Sequence, residues 1–441
     1  MRIQYTDDEK IIFKKKIVYP IYSVKDSLKL FNKILRKILV NKNYKKRFIV
    51  KNYNILSIAL EDFFWQYCFQ YIKYKSFIKK EGLNLNIIKT KNKTHYHIDG
   101  YGRVQDYLKG NFNIKNILKF FIKNCYFYLW ILLNALINKN KNWVDRRFDG
   151  DFRYENLKIE RAISITLPYS LQSFRPKSNN IEEALMLDAE AKIKNYKKWI
   201  FAIKILKPKK IMMTDNSYDN FSLLMAAKIT KTECIAICHA PVIKHHMNLV
   251  GTNLLKKNLL LFDKIFVYHK IFKNFLLKHG KFYTDKKIEI TNWPNTNKYN
   301  FKIKKNKKNT YVLYPFEHFC DFKKINEFLI FFQKKNHKII IKTRPDMSNY
   351  GHFDSRLNID FVDDFTKEHF LNSLCVIGST TTLLFNCAQN FLPIIYIDDN
   401  GYDHFKDIEH PKNWIRCKNI NNKIYKKILE NPNKNNFQFK N

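Results

Sequence analysis

Apolar runs and amphipathic stretches alternate regularly along residues 310–398. The apolar runs are short and rich in Val, Ile and Leu: "TYVLYPF", "HKIIIKTRP", "NIDFVDD", "CVIGS" and "PIIYIDD". Helical spacing of apolar positions separates them at 322–335, 366–374 and 381–390, with Thr366 placed to cap the second helix. Nearly continuous apolar strands alternating with helices predict a parallel sheet covered on both faces.

The same alternation occupies residues 161–294. Predicted strands are "RAISITLPYS", "KIMMTD", "TECIAICHAP", "DKIFVYH" and "KIEITNWP", and predicted helices are 180–206, 218–230 and 270–280. Early glutamates at 182 and 183 suit the N-terminal dipole of the first helix, and Gly280 is expected to end the last. The chain is therefore expected to contain a second doubly wound α/β unit.

The polar cluster "KIKKNKKN" at 302–309 lacks apolar periodicity and is the best candidate boundary. We predict an N-terminal, acceptor-side domain over 1–300 and a C-terminal, donor-binding domain over 301–441. In the first, "KKIVYPIYSVKDSLKLFNKILRKIL" is expected to open the same domain as a strand and a helix. Residues 85–150 have no assigned place and are treated as a helical insertion.

The most hydrophobic stretch, "CYFYLWILLNALI" at 125–137, is shorter than the roughly 20 residues that span a bilayer. We predict a buried helix here, with an interfacial helix as the alternative. The N-terminus has no signal-peptide core, which favours a cytoplasmic protein.

The net charge and the cysteine content indicate possible binding partners and the redox compartment, but they do not identify the function. The net charge is +41, from 80 Lys+Arg and 39 Asp+Glu. This excess attracts polyanions or anionic lipid, but high Lys, Asn and Ile with only 10 Gly fits a compositional bias equally well. The eight cysteines form no CxxC pair, so we expect a reducing compartment and no structural zinc.

Polar residues follow the predicted strands of the C-terminal unit. The strand ends carry Glu317, then Lys342 and Arg344, then Asp363 and Asp364, and finally a turn of small residues at 378–382. That turn consists of Gly378, Ser379, Thr380, Thr381 and Thr382. It precedes a helix, whose first N–H groups favour an anion, so we predict that the turn binds a phosphate; an N-terminal cap by Ser379 is the alternative. Lys342 and Arg344 would add positive charge or remain solvated, and Glu317 would bind sugar hydroxyls or pair with a lysine.

No Walker loop and no G-x-G-x-x-G occurs, which argues against a nicotinamide cofactor. In the N-terminal unit, the strand ends place Asp215 in "TDNSYDN" and His239 in "CHAPVIKHHMN". Neutral His239, or Asp215, could act as general base toward a hydroxyl; Asp215 could instead orient His239, and a structural histidine is the alternative. The spacing of His239, His245 and His246 fits no familiar zinc pattern, and we predict no metal.

The order "ICHAPVIKHH", "IEITNWPNTNKY", "YPFE", "KTRP" and "GSTTTLLFNCAQNFLPIIYID" resembles GT-B glycosyltransferases of bacterial surface polysaccharide synthesis. It is most similar to capsule-biosynthesis transferases and to CDP-glycerol polyol-phosphate transferases, over roughly 160–400. The resemblance implies two Rossmann-like domains facing a cleft and metal-independent transfer. It places Ser379 and Thr380 at the donor phosphate. Arg344 stands where the family commonly has His, and Ala240 replaces the Gly after His239.

We therefore expect transfer of a sugar from a nucleotide donor, with a CMP-linked acidic sugar as one candidate, to a glycan or lipid-linked acceptor. The expected location is the inner face of an anionic membrane, and no cofactor is expected besides the nucleotide-sugar substrate. The alternatives are polyol-phosphate transfer from a CDP donor and a non-enzymatic basic scaffold. Aromatic residues lie mostly within apolar runs, which argues against a nucleic-acid partner.

Overall fold

The computed structural model describes most of residues 24–40, 114–145, 178–238, 261–291, 310–343 and 353–430, together with several short strands elsewhere. The described elements fall into two compact units. One contains Met1–Val24, Glu81–His95 and Asn295–Asn441, and the other contains Lys25–Lys80 and Tyr96–Pro294. Each is described below by itself.

Nine helices are described in these parts of the chain. They are α1 (Val24–Val40), α2 (Ile114–Ile137), α3 (Ile181–Leu206), α4 (Asn220–Thr230), α5 (Lys270–His279), α6 (Phe322–Gln333), α7 (Lys367–Leu371), α8 (Leu383–Gln389) and α9 (Asn422–Glu430).

The described strands form four sheets. One short antiparallel sheet contains β1 (Gln4–Tyr5), β2 (Ile11–Phe13) and β3 (Lys16–Val18). A second contains β4 (Ile49–Val50) and β5 (Tyr53–Asn54). The N-terminal parallel sheet contains β6 (Asn142–Asp145), β7 (Ala162–Ile165), β8 (Lys210–Thr214), β9 (Glu233–Ile237), β10 (Lys264–Val267) and β11 (Ile288–Ile290). The C-terminal parallel sheet contains β12 (Tyr311–Pro315), β13 (Lys338–Lys342), β14 (Ile359–Val362), β15 (Ser373–Gly378), β16 (Ile394–Ile397) and β17 (Trp414–Cys417).

The C-terminal sheet has the strand order β14-β13-β12-β15-β16-β17, and neighbouring strands pair parallel. This is the order 3-2-1-4-5-6 of a Rossmann sheet. Val312 and Tyr314 of β12 pack with Phe328 of α6 in one core, while Leu313, between them, is equally buried from the other side of the strand. Both faces of the sheet are therefore covered, as the apolar runs predicted.

The N-terminal sheet has the order β11-β10-β9-β8-β6-β7, which is 2-1-3-4-5-6 in chain order and similar to flavodoxin-like sheets. Helix α3 begins after Asn180, whose side chain accepts the N–H of Glu183, and packs on α4. Trp143 of β6 is fully buried against Trp130 and Trp199. The prediction of an α/β protein with two Rossmann-like doubly wound sheets is confirmed, whereas the arrangement of the two sheets about a cleft stays a prediction.

Two expectations for the first 300 residues are wrong. The strand predicted before α1 is β3, but it pairs antiparallel with β2 and does not join the parallel sheet. The second concerns the stretch 125–137, which forms most of α2 but is buried only along a narrow stripe that includes Phe127 and Ile131. Within the described residues, we find no helix with both the length and the apolarity needed to cross a membrane.

Candidate functional site at the strand ends of the C-terminal sheet

The strand order of the C-terminal sheet reverses between β12 and β15. Chain order runs from β12 to β13 and β14 on one side, and then returns to place β15 on the other side of β12. In open parallel sheets, ligands bind outside the carboxyl ends of the strands at such a switch point. Glu317 follows β12 and the small-residue turn follows β15, so the structure brings both predicted features to this point.

Glu317 is buried, with 1% of its surface exposed, and its carboxylate faces the turn. Glu317 Oε1 accepts the N–H of Ser379 at 2.7 Å and the N–H of Thr381 at 3.0 Å. Glu317 Oε2 accepts the Ser379 hydroxyl at 2.9 Å. Backbone N–H groups at the start of a helix are good partners for an anion, and here that anion belongs to the protein itself.

Gly378 is the last residue of β15, and it lets the carboxylate approach the turn. A Cβ atom at this position would lie 2.8 Å from Glu317 Oε1 and 2.9 Å from Leu384 Cδ2. Both distances are shorter than van der Waals contact, so a larger residue would displace the side chains of Glu317 and Leu384. The glycine is explained by close packing inside the protein.

The remaining described residues of the turn lead into α8. The Thr381 hydroxyl oxygen accepts the N–H of Leu383 at 3.3 Å, while Thr382 directly precedes α8 and makes no side-chain capping bond to it. Helix α8 has only 7 residues, so its dipole is small. The prediction that the amides of Ser379 and Thr381 bind a phosphate directly is corrected, because both are hydrogen-bonded to Glu317. The same geometry argues against the related prediction that Glu317 binds sugar hydroxyls, because both its carboxylate oxygens are hydrogen-bonded to the turn.

Lys342 ends β13, beside Pro315 in the register of the sheet. Its side chain is half-buried, and Nζ donates to the carbonyl oxygen of Thr343 at 3.3 Å. The Thr343 hydroxyl donates to the carbonyl of Val362 at 3.3 Å and lies 3.5 Å from Asp363 Oδ1. A lysine therefore does lie at the same sheet edge as Glu317 and the turn. Arg344 and Thr380, predicted to belong to this site, lie outside the described residues.

Asp215 and His239, the predicted catalytic residues, also lie outside the described residues, as do Lys244, His245 and His246. The elements before the first two are described: β8 ends at Thr214 and β9 at Ile237. In the described part of the chain, no group of His, Cys, Asp and Glu side chains is arranged to hold a metal ion.

The sequence interpretation missed β6, the strand at the switch point of the N-terminal sheet. This strand lies between β7 and β8, where the strand order reverses, and it ends at Asp145. Asp145 is thus placed at the strand end where a ligand of this unit would bind. The only signal in the sequence was the apolar pair Trp143 and Val144 in "NWVD", which follows a lysine- and asparagine-rich cluster.

No family model matches this chain, and no curated protein sequence matches it. Among solved structures, the chain is similar to UDP-GlcNAc 2-epimerase from Methanocaldococcus jannaschii, with 14% identity over 70% of this chain and 90% of that one, at a TM-score of 0.38. It is similar to a UDP co-structure of MnaA from S. aureus, with 11% identity over 59% and 79% of the two chains and a TM-score of 0.37. It is also similar to the wall teichoic acid polymerase TagF, with 12% identity over 73% and 88% and a TM-score of 0.33. Scores below 0.5 establish no relationship, and the fold assignment rests on the strand order described above.

Proposed function

We propose that the chain is a metal-independent transferase of the GT-B type, which moves a sugar from a nucleotide-activated donor to a glycan or lipid-linked acceptor. The observation that carries the proposal is the switch point of the C-terminal sheet. There, the order 3-2-1-4-5-6 brings Glu317, Lys342 and the turn at 378–382 to one edge. The motif resemblance over 160–400 supports the choice of reaction.

In this proposal, Glu317 is a positioning residue. Its carboxylate holds the turn through Ser379 and Thr381, and this fixes the backbone on either side of Thr380. The donor phosphate then contacts the hydroxyls of Thr380 and Thr382 and the cationic groups of Lys342 and Arg344. Positioned cations of this kind stabilise the charge that develops on a leaving phosphate without a metal.

The acceptor side of the reaction belongs to the N-terminal unit. The acceptor hydroxyl oxygen attacks the anomeric carbon of the donor sugar, and its proton passes to Asp215 or His239 as general base. The bond from the anomeric carbon to the phosphate oxygen breaks, and the nucleotide leaves with both bonding electrons. Asp145 is a third candidate base, because it ends the strand beside β8. No cofactor besides the nucleotide-sugar substrate is needed for these steps.

The proposed acceptor class and location rest on the net charge of the chain and not on the donor site. A surface glycan or a lipid-linked acceptor would be met at the inner face of the cytoplasmic membrane, where the net charge of +41 would favour anionic lipid. A CMP-linked donor is one candidate among nucleotide sugars.

Thermal-shift measurements with CMP-, CDP-, UDP- and GDP-linked compounds test the donor site. We expect one nucleotide class to stabilise the protein, since a ligand that binds only the folded state raises its stability. Arg344→Ala and the double variant Thr380→Ala/Thr382→Ala should lose this shift while unfolding normally without nucleotide. Lys338→Ala, at the opposite end of β13, is the matched control and should keep it. Equal shifts in all of these variants would refute the proposed donor site.

The two alternatives give different results in the same preparation. A CDP-polyol phosphotransferase would transfer the donor's phosphorus to the acceptor, so a donor labelled in the phosphate next to the polyol would label the product. A sugar transferase would leave all of that phosphate in the released nucleotide. A non-enzymatic scaffold would bind several polyanions in a strongly salt-dependent manner and would show no nucleotide-specific shift.

A further inference from the structure

Helix α2 carries most of the exposed large apolar side chains that the structure describes. Twelve of the eighteen such residues belong to this one helix. Leu136 is 85% exposed, Phe121 64% and Leu132 57%. Soluble monomers rarely expose contiguous apolar patches of this kind, and large ones mark surfaces that contact a protein or a membrane.

The exposed side chains form one continuous face along the helix. Their spacing alternates between four and three residues, which keeps them on one side of an α-helix: Leu118, Ile122, Cys125, Leu129, Leu132 and Leu136. We call these six residues and their apolar neighbours the outer face of α2. At 1.5 Å per residue, the 24 residues of the helix give this face a length of about 36 Å.

The opposite side of α2 is fixed to the N-terminal unit. Phe127 is buried and packs edge-to-face against Trp199 of α3, with ring centroids 5.3 Å apart, and Tyr128 makes a similar contact with Phe201. Lys198 of α3 donates a hydrogen bond to Asn124. The attachment along this narrow stripe makes α2 a rigid element of the unit, so its outer face is presented in a defined orientation.

The charges of the helix and of the whole chain favour an anionic bilayer over a second copy of the chain as the partner of this face. Lys115 and Lys119 lie four residues apart along one edge of the outer face, and the sequence of the helix has no acidic residue. A second copy of the chain would bring these lysines, and a further net charge of +41, against the same charges. An anionic bilayer instead neutralises them while its acyl boundary accepts the leucines.

We infer that α2 is a membrane-docking helix that lies in the interface of an anionic bilayer, with its outer face toward the acyl chains. Tyr126, which is 70% exposed, supplies an amphipathic ring of the type that settles at the headgroup level. The helix lies on the membrane and does not cross it. This inference does not depend on the proposed transferase activity, because no residue of α2 belongs to the candidate site.

Co-sedimentation with vesicles tests the inference directly. We expect the full chain to bind vesicles of equal parts phosphatidylglycerol and phosphatidylcholine, and to bind phosphatidylcholine alone much more weakly. The variant Leu129→Glu/Leu136→Glu should bind about a hundredfold more weakly, because losing each buried leucine corresponds to about tenfold or more. The matched control Leu277→Glu/Leu429→Glu adds the same charge at exposed leucines of α5 and α9 and should bind like the parent.

A second measurement needs no change to the apolar residues of the outer face. Cys125 is exposed on this face, whereas the other described cysteines are buried. In a Cys68→Ser background, an environment-sensitive fluorophore on Cys125 should shift its emission to shorter wavelength when anionic vesicles are added. Absence of both binding and emission shift would overturn the inference. Equal vesicle binding by the two double variants would also overturn it. A third refuting result would be a parent protein that binds no vesicles and forms a dimer without lipid, if Leu129→Glu/Leu136→Glu converts that dimer to a monomer.

Discussion

Replacing Glu317 by alanine separates the internal role of this residue from any role in ligand binding. The substitution removes both carboxylate oxygens and leaves three donors at the turn without their partner: the N–H groups of Ser379 and Thr381, and the hydroxyl of Ser379. Glutamine at the same position has the same shape. Its carbonyl oxygen can accept the two N–H groups, while its NH₂ group donates to the Ser379 oxygen.

The structure sets the size of the expected effect. Hydrogen bonds to a charged group contribute about 1.5–3 kcal/mol each, so three bonds set an upper limit of roughly 5–9 kcal/mol. Alanine also removes the cost of burying the carboxylate, and water can enter the space that it leaves. We therefore expect Glu317→Ala to lower the free energy of unfolding by about 3–5 kcal/mol, which is typical of breaking a buried charged interaction. Glu317→Gln should cost only about 1–1.5 kcal/mol, because it loses charge assistance but keeps the bonds.

The measurement must report on the C-terminal unit, because two compact units need not unfold together. Hydrogen exchange followed by mass spectrometry gives local stability for peptides that cover β12 and β15, while peptides from α3 and β9 serve as the internal reference. Glu317→Ala should speed exchange in the first group and leave the second unchanged.

A double-mutant cycle with Ser379→Ala checks the cause. The serine substitution should destabilise the parent protein but cost about 1–2 kcal/mol less in the Glu317→Ala background, where its partner is already missing. Additive effects, or equal costs for Glu317→Ala and Glu317→Gln, would refute the interpretation of Glu317 as the internal anion of this turn.

Three further predictions follow from the same structure. Gly378→Ala should destabilise the C-terminal unit by about 1–3 kcal/mol through overpacking against Glu317 and Leu384, and should cost less in the Glu317→Ala background; equal costs in both backgrounds would contradict the contact. Burial lowers the pKa of His269 to about 4, so the stability that its neutral ring contributes is present above the unfolded-state pKa of about 6.5 and is lost as the pH falls toward 4. His269→Asn, which keeps a side chain able to cap Ile271 but does not titrate, should unfold at lower pH than the parent, and an unchanged acid midpoint would count against this. Finally, a chelator should leave the nucleotide-induced thermal shift unchanged, and a lost shift would show that nucleotide binding needs a metal.

Local pattern was enough to predict most strands and helices of both parallel sheets. The runs at 310–316 and 393–399 contain β12 and β16, and the long amphipathic stretch at 180–206 contains α3 with its acidic first turn. These elements are predictable because strands buried on both faces need apolar residues at every position, and helices on a sheet need a periodic apolar stripe. Thr366 caps α7, as predicted, for the same local reason.

The failures concern features set by distant contacts. Strand β6 has four residues, of which only Trp143 and Val144 are apolar, so its place between β7 and β8 comes from pairing with these strands and not from its own pattern. The orientation of α2 is a similar case. Its sequence is apolar enough for a buried helix, yet the helix packs on α3 and β6 through Phe127 and Trp130 and leaves Leu132 and Leu136 exposed. Hydrophobicity predicts that such a helix needs cover, but it does not predict what supplies the cover.

The turn at 378–382 shows how topology changes the meaning of a motif. A run of Ser and Thr before a helix predicts an anion at its start, and the sequence also places an acidic residue at the end of the first strand of the same unit. In a sheet of order 3-2-1-4-5-6, the first strand adjoins the fourth, so the residue after β12 meets the turn after β15. Glu317 then supplies the predicted anion from within the chain, at 2.7 Å from the Ser379 nitrogen. The acid at the end of strand one and the turn after strand four are therefore held together by hydrogen bonds, and any anionic ligand at this edge would have to bind beside the Glu317 carboxylate, toward Lys342, rather than in its place.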